Sequence, residues 1–471
     1  MQVQDQHVHL VGIGGAGLSA IARVLLERGA RVSGSDLRMS RVAQALADDG
    51  VEVKVGHRAE NVDRADVVVV SSAVPADNVE LQAARAAGIP VLKRPTFLNQ
   101  LMADRVGIAV AGTHGKTTTT AMLASVLLKA GHDPTFIVGG VIRGLETNAR
   151  AGESPLFVIE ADEYDRTFLE LEPQVAIITI VEHDHPDCYP TFEEFRAAFE
   201  AFAAKVPSSG LLVMCWDDPV AREIGQTMES AGMPVTFFGL GEGAEWRAED
   251  LRPNFAGGVD FLAWQGESVL GLMRLRMPGA HNASNAMAVM AVADFLDVSF
   301  RTARVALTKF EGVGRRFEIK GTAQGVTVID DYAHHPTEIR VTLQAARRRF
   351  GNRPLWAVWQ PHTYSRTRTL LDEFGQSFGD ADHVIVLPIY AAREEDDLGL
   401  DAASVAAAID HPDARSVETL DEAMVLLGTD VRFGDVVMTL GAGDGDQVGE
   451  WLLRLLDREE EGLEHREKTA A

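Results

Sequence analysis

Cysteine is nearly absent from this chain: two thiols, Cys188 and Cys215, occur in 471 residues. They follow no metal-ligand spacing and are too few for a disulfide framework, which points to a reducing compartment. Long apolar runs are missing as well, so no segment is expected to span a bilayer. The opening MQVQDQHVHL has no basic stretch followed by an apolar core, so no signal peptide is expected either. Cations are in short supply. Lys and Arg number 44 against 69 Asp and Glu, for a formal net charge of −25. Such a surface argues against nonspecific nucleic-acid binding. It leaves room for anionic small ligands held by local glycine loops and single basic residues. A cytoplasmic protein without nucleic-acid or membrane partners is the expectation, with length enough for roughly two to four domains.

What the chain does have is a glycine-bracketed turn between a strand pattern and a helix pattern, VGIAVAGTHGKTTTTAMLASVLLKAG. Val106 to Ala111 is an apolar run suited to a buried strand. From Thr117 onward Ala121, Met122, Val126 and Leu127 fall on one helical face, and Gly131 is placed to end the helix. Strand, tight turn and helix aim several backbone N–H groups at one point, a geometry that holds phosphate. Gly112, Thr113, Gly115, Lys116, Thr117 and Thr118 are therefore the expected ATP-binding loop. Lys116 would neutralise the terminal phosphates, and the Thr117 hydroxyl would reach Mg2+. The spacing departs from the standard Walker loop, because Val110 stands where its first glycine would be. The plainer alternative is a basic residue in a loop before a core helix.

A second glycine loop lies near the N-terminus. His7 to Val11 reads as a strand, followed by Gly12, Gly14, Gly15 and Gly17 and a helix that stops at Gly29. Arg31 to Ser35 is the next strand and ends at Asp36, an acid roughly 20 residues past the loop, where a ribose hydroxyl would be held. Taken alone this unit suggests NAD, but the loop reports backbone approach to a diphosphate, which any nucleotide diphosphate satisfies. Ser71 and Ser72 follow another buried strand, Val67 to Val70, at the edge where open α/β sheets bind ligands. The first domain is placed at 1–104.

The central domain, 105–313, carries two acidic clusters directly after apolar strands, EADEYD at 160–165 and EHDHPD at 182–187. Both should gather at the sheet edge that bears Lys116 and Thr117. Carboxylates, a hydroxyl and phosphate oxygens suit Mg2+. Residues 239–270 resemble an antiparallel excursion. His281, Asn282 and Asn285 then open an alanine-rich helix whose small residues admit a flat base; helix capping is the plainer alternative. GVGRRF, 312–317, reads as a hinge into a third domain, 314–471, with strands at 326–329, 355–359, 384–387 and 436–440. The fold expected is α/β with three consecutive domains: Rossmann-like N-terminal, P-loop-type central and Rossmann-like C-terminal.

Taken together, VGIGGAGLSAIA with GSD, GTHGKTTTT, EADEYD, VEHDHPD, PGAHNASN, GVGRRFE, DDYAHHPTEI, QPHTYSRT and LPIYAARE occur in one order along nearly the whole chain. This set resembles the Mur ligases, and within them the branch that joins L-alanine to UDP-N-acetylmuramate at the expense of ATP. The resemblance implies that the loop Gly12 to Gly17, with Asp36, Ser71 and Ser72, holds the UDP diphosphate rather than NAD. It implies Lys116 on the β- and γ-phosphates, Thr117 and Glu160 on one Mg2+ (or Mn2+), and His185 on a second through the transferred phosphate. His281, Asn282 and Asn285 would surround the adenine, Asp331 would hold the ribose, and Arg316 would reach the phosphates on domain closure. Tyr332, His334, His362 and Arg366 would face the muramoyl carboxylate and the incoming alanine. The implied chemistry is an acyl phosphate attacked by the alanine amine, with His185 or His334 accepting its proton, in a monomer or homodimer that serves peptidoglycan precursor synthesis.

Two positions depart from that pattern. Ile180 occupies the place of an expected Asn, and Thr363 that of an expected Arg, leaving Arg366 to recognise the amino-acid carboxylate. Sibling ligases carry a carbamylated lysine near the second metal; only Glu200 and Lys205 lie close in sequence. The rival readings are a murein tripeptide ligase with the same chemistry and a larger acceptor, an NAD-dependent oxidoreductase, and an inactive nucleotide-binding scaffold.

Overall fold

In the computed structural model, which describes residues 3–392, 394–395 and 397–470, three sheets follow one another along the chain. The first contains β1 (His7–Val11), β2 (Arg31–Asp36), β3 (Glu52–Val55), β4 (Val67–Val70) and β5 (Val91–Lys93). All are parallel, in the order β3-β2-β1-β4-β5. Strand β4 is four consecutive valines, every one buried, as a sheet covered on both faces requires. The order reverses at β1, and a crevice opens at such a point. Its loop Gly12 to Gly15, Asp36 at the end of β2 and Ser71 after β4 therefore share one edge.

The second sheet has ten strands. In chain order they are β6 (Val106–Ala111), β7 (Thr135–Ile142), β8 (Thr147–Arg150), β9 (Leu156–Glu160), β10 (Val175–Ile178), β11 (Leu211–Cys215), β12 (Val235–Gly239), β13 (Trp246–Pro253), β14 (Val259–Gln265) and β15 (Ser268–Leu275). The sheet order is β15-β14-β13-β12-β11-β10-β6-β9-β7-β8. The antiparallel excursion is the meander β13-β14-β15. Strand β6 lies between β9 and β10, so the turn that follows it is flanked by the ends of both strands that lead into acidic clusters.

The helix Lys116–Lys129 buries more than the face that carries Ala121, Met122, Val126 and Leu127; Thr117 to Ala124 are buried as well. It is enclosed by the sheet and by the helices Ala280–Phe295 and Phe300–Lys309. The apolar residues before the second acidic cluster read as a strand over 175–181, but β10 stops at Ile178. Thr179, Ile180 and Glu182 instead bond the phosphate loop.

The third sheet comprises β16 (Glu318–Ala323), β17 (Val326–Asp331), β18 (Leu355–Trp359), β19 (His383–Val386), β20 (Ala414–Ser416) and β21 (Val436–Leu440), in the order β16-β17-β21-β18-β19-β20. The edge strands β16 and β20 have few buried residues and no continuous apolar signal. One apolar core runs without a break from Val3 to Val313, through the first and second sheets. The third sheet has its own apolar layers on its two faces. Among the described residues no buried apolar cluster joins the third unit to the rest.

Beneath the first glycine loop lies a polar cluster. Glu80 is fully buried and accepts hydrogen bonds from the Ser35 hydroxyl (2.6 Å), from Asn61 and from the Arg58 amide, with His57 at 3.3 Å and His9 at 3.6 Å. Burial pushes its carboxyl up, but the bonds to His9, Ser35 and Asn61 outweigh burial and hold it at about 2. A carboxyl depressed by folding stabilises the protein above its unfolded value and loses that contribution as pH falls through the folded one. Glu80→Ala should lower stability at neutral pH by about 3 kcal/mol, the order found when one partner of a buried pair is removed. The gap between variant and parent should narrow as pH falls below about 4.5 toward 2, which denaturant titration at several pH values measures.

Candidate active site

The phosphate loop is held open by bonds that its own sequence supplies. Gly112 and Gly115 take φ of 126° and 83°, values a side chain resists. The Thr113 amide donates to Ile180 O at 2.6 Å, and its hydroxyl donates to Glu182 O at 2.8 Å. The Thr179 hydroxyl donates to His114 O at 2.5 Å. The chain after β10 is thus the second wall of the loop, which is why the strand ends early.

Lys116 opens the helix and turns its ammonium back. Nζ donates to Gly112 O (2.6 Å) and lies 2.8 Å from Glu163 Oε2. Burial opposes that charge, yet Glu163 and Asp162 hold the ammonium above its usual range. The Thr117 hydroxyl donates to Glu160 Oε1 at 2.9 Å, and the Gly139 amide donates to Glu160 Oε2 at 2.6 Å. Burial pushes the Glu160 carboxyl up, and a carboxylate so desolvated is stabilised by a nearby cation. The hydroxyl and carboxylate oxygens present here suit a hard ion such as Mg2+.

The two acidic clusters divide their work. In the first, Glu160 faces Thr117, Glu163 faces Lys116, and Asp162 turns toward the first unit, 3.3 Å from Arg94. In the second, Glu182 meets His114 at 3.0 Å, and Asp184 accepts from Arg366 Nε at 2.7 Å. His185 lies 3.3 Å from Glu163 and 3.7 Å from Asp184, with Tyr164 edge-on to its ring. Burial disfavours its charge, but Asp184 and Glu163 prevail and raise the imidazole above its ordinary value. Ligand atoms of Asp162, Glu163 and His185 fall within 4.8 Å of one another, a donor set able to hold a second cation.

From the third unit come Arg316, Tyr332, His334, His362 and Arg366, all facing the same cleft as Lys116, Glu160 and His185, a space of about 1320 Å³ including its open mouth. Tyr332 is flanked by Arg315 and Arg316, each guanidinium 5.2 Å from its ring centre. The His334 Nδ1 lies 3.0 Å from Tyr332 O, so that nitrogen carries the proton and Nε2 keeps a lone pair. Burial lowers this imidazole to about 4. Arg366 is engaged by Asp184 and approaches His362 Nδ1 at 3.2 Å. Thr363 takes a φ of 65° and its hydroxyl accepts from the Arg366 amide, so it shapes the turn that presents Arg366.

A neighbouring cleft of about 840 Å³ is lined by His281, Asn282, Asn285, Thr117, Thr118, Ile180, Arg316 and Asp331. Gly279 rather than a side chain caps the helix there, so capping does not account for the two asparagines. Burial lowers His281 to about 4. Asn282 donates to Pro278 O at 2.6 Å, whereas Asn285 abuts Gly115, where a Cβ would come within 3.0 Å of its Oδ1. Asp331 accepts from the Phe317 and Ala333 amides at 2.7 and 2.8 Å, and burial raises it to about 6. Ile180, in place of Asn, presents its carbonyl to the loop and its side chain to this cleft. Glu200 pairs with Arg196, and neither it nor Lys205 lines either cleft.

In the first unit, Gly12 has a φ of 88° and packs against Ser71, while Gly14 donates its amide to Asp36 Oδ2 at 2.9 Å. Ser72 is exposed beside them. The side chain of Arg94 lies over Gly17, so close that a Cβ there would overlap it. Motif reading missed Arg94, Glu163, Asp184, Gly139, His114 and Glu338. The GG pair at 139–140 inside a strand was a legible sign of close backbone approach; the partners of the others are distant in sequence.

Three family models match the chain in succession: "Mur ligase family, catalytic domain" over residues 7–106, "Mur ligase middle domain" over 110–293 and "Mur ligase, glutamate ligase domain" over 315–443. The UDP-N-acetylmuramate–L-alanine ligase of Myxococcus xanthus is 46% identical over 453 residues, 95% of each chain. Among solved structures, the UDP-N-acetylmuramate–alanine ligase of Thermotoga maritima superposes with a TM-score of 0.82 at 29% identity, covering 96% of this chain and 99% of that one. A murein peptide ligase from Psychrobacter arcticus gives a TM-score of 0.73 at 27% identity, covering 96% and 98%. This chain belongs to the Mur ligase family.

Proposed function

We propose that the protein joins L-alanine to UDP-N-acetylmuramate with ATP as co-substrate, as the relatives named for that reaction do, in peptidoglycan precursor synthesis. The observation that carries the reading is the single cleft in which Lys116, Thr117 and Glu160 of the central unit meet His334, His362 and Arg366 of the third. The proposed division is 1–104 for the UDP-sugar, 105–313 for ATP and 314–471 for the amino acid. Gly12, Gly14, Gly15 and Gly17 serve the diphosphate, with Arg94 added to Asp36, Ser71 and Ser72. An oxidoreductase built on the first unit leaves the central cleft without a role.

A carboxylate is a poor electrophile. Transfer of the γ-phosphoryl group to the muramoyl carboxylate forms an acyl phosphate and releases ADP. The alanine amine, once deprotonated, attacks the acyl carbon, and inorganic phosphate leaves from the tetrahedral intermediate. Lys116 exchanges its carbonyl partners for phosphate oxygens and offsets their charge. Arg316, which lines both clefts, does the same from the third unit. Mg2+ held by Thr117 and Glu160, with a second ion at His185, would supply further charge neutralisation. Of the two candidate bases, His185 is raised by Asp184 and Glu163 and stands where it would hold the second ion, which would occupy its lone pair. His334 is neutral with Nε2 unoccupied, so we assign it the amine proton. Tyr332, His362 and Arg366 orient the acceptor. Docking of the third unit keeps water from the acyl phosphate.

Phosphate release should require ATP, UDP-N-acetylmuramate and L-alanine together; release with any one omitted at the full rate, or no new amide in the complete mixture, would overturn the assignment. L-alanine should outcompete a murein tripeptide for the acceptor site in the same assay. Lys116→Ala should cut turnover by at least about a thousandfold, while calorimetric affinity for UDP-N-acetylmuramate stays within about twofold of the parent, because separate units hold the two. His334→Asn should lower kcat by about a hundredfold to ten-thousandfold, the range of general-base contributions, with little change in KM for ATP, as steady-state kinetics would show.

A further inference from the structure

Among the described residues the third unit shares no buried apolar cluster with the rest, and polar contacts cross between them. Four residues beside the clefts form one such set. The central unit offers His114, in the phosphate loop, and Glu182. The third unit offers His335 and Glu338, at the entry and in the first turn of the helix Pro336–Phe350. His114 Nε2 meets Glu182 at 3.0 Å and its Nδ1 meets Glu338 at 3.1 Å, so one imidazole ring spans the two units. His335 returns the arrangement, with Nδ1 3.7 Å from Glu182 and its ring 4.6 Å from that of His114. Glu338 also accepts from the His334 amide at 3.0 Å and faces Arg316 at 3.7 Å. His114, His335 and Glu338 are buried.

We propose that this two-by-two set of His114, Glu182, His335 and Glu338 is a latch in which His114 positions the phosphate loop for nucleotide when the third unit is docked. The inference rests on the ligase reading above and adds to it a positioning residue. Three observations support it. A neutral imidazole has one N–H, and His114 faces a carboxylate at each nitrogen; only its protonated form donates to both. His114 precedes Gly115 and Lys116, and its carbonyl is the acceptor for Thr179, so a shift of this residue moves the loop amides directly. Glu338 touches Arg316 and the His334 backbone as well, so the carboxylate that holds the loop also holds two groups of the opposing wall. Removal of Glu338 on undocking frees one side of His114 and leaves Glu182 to draw the ring toward the second acidic cluster.

The test uses the intact chain and nucleotide binding rather than turnover. Glu338→Gln and His114→Gln keep the size and remove the charge. Each should weaken binding of ADP, measured by calorimetry, by about tenfold. The double variant should be no weaker than the worse single variant, because the two residues act through one contact. UDP-N-acetylmuramate affinity should stay at the parental value and reports that the chain is folded. Small-angle scattering should show nucleotide compacting the parent and failing to compact Glu338→Gln. Losses that add in the double variant, or variants that bind and compact as the parent does, would overturn the latch while leaving the ligase reading intact. If His114→Gln misfolds, His335→Asn replaces it in the cycle with the same expected non-additivity. A parent that binds no nucleotide would overturn the ligase reading itself.

Discussion

The phosphate loop owes its shape to the chain that runs beside it. Loop amides aimed at one point repel one another's dipoles and need acceptors and walls to hold them. Residues 179–182 supply these: Ile180 O takes the Thr113 amide, Glu182 O takes the Thr113 hydroxyl, and the Thr179 hydroxyl closes on His114 O. The same diversion carries the second acidic cluster out of the sheet and into the cleft. Strand termination, loop geometry and delivery of Asp184 and His185 are thus one event.

Charge in the cleft is balanced locally, in spite of the acidic chain around it. Glu163 has Lys116 and His185, Asp184 has Arg366, and Glu338 has His114 and Arg316. Glu160 is the exception, with a hydroxyl and an amide but no cation in contact. Buried carboxylates are costly unless paired, and this one stands where the donor set suits a metal ion. The surroundings also separate the two histidines that chemistry might use, carboxylates raising His185 and burial lowering His334.

Much of the site was legible in the sequence because it lies directly after strands, where order along the chain becomes proximity in space. The loops after β1, β6, β9 and β17 do lie at strand ends. The assignment of roles within EADEYD and EHDHPD was not legible, since spacing does not say whether Glu160 or Glu163 meets Lys116. Strand β10 was read three residues too long because Ile180 and Val181 are apolar, whereas Ile180 bonds the loop and Val181 donates its amide to Asp218. The threonines of the helix after Lys116 carry no apolar signal, yet they are buried, and Thr117 and Thr120 bond within the site and the helix. Edge strands β16 and β20 carry no apolar run to betray them.

The unbroken apolar core through residues 3–313 has a consequence for how the protein comes into being. Every residue of that core is synthesised before the last third of the polypeptide leaves the ribosome. The two glycine loops are therefore assembled and aligned with each other at synthesis, and only their partner across the cleft arrives later. A nascent chain paused at that stage already carries both glycine loops, but neither the opposing wall nor Glu338 beside His114.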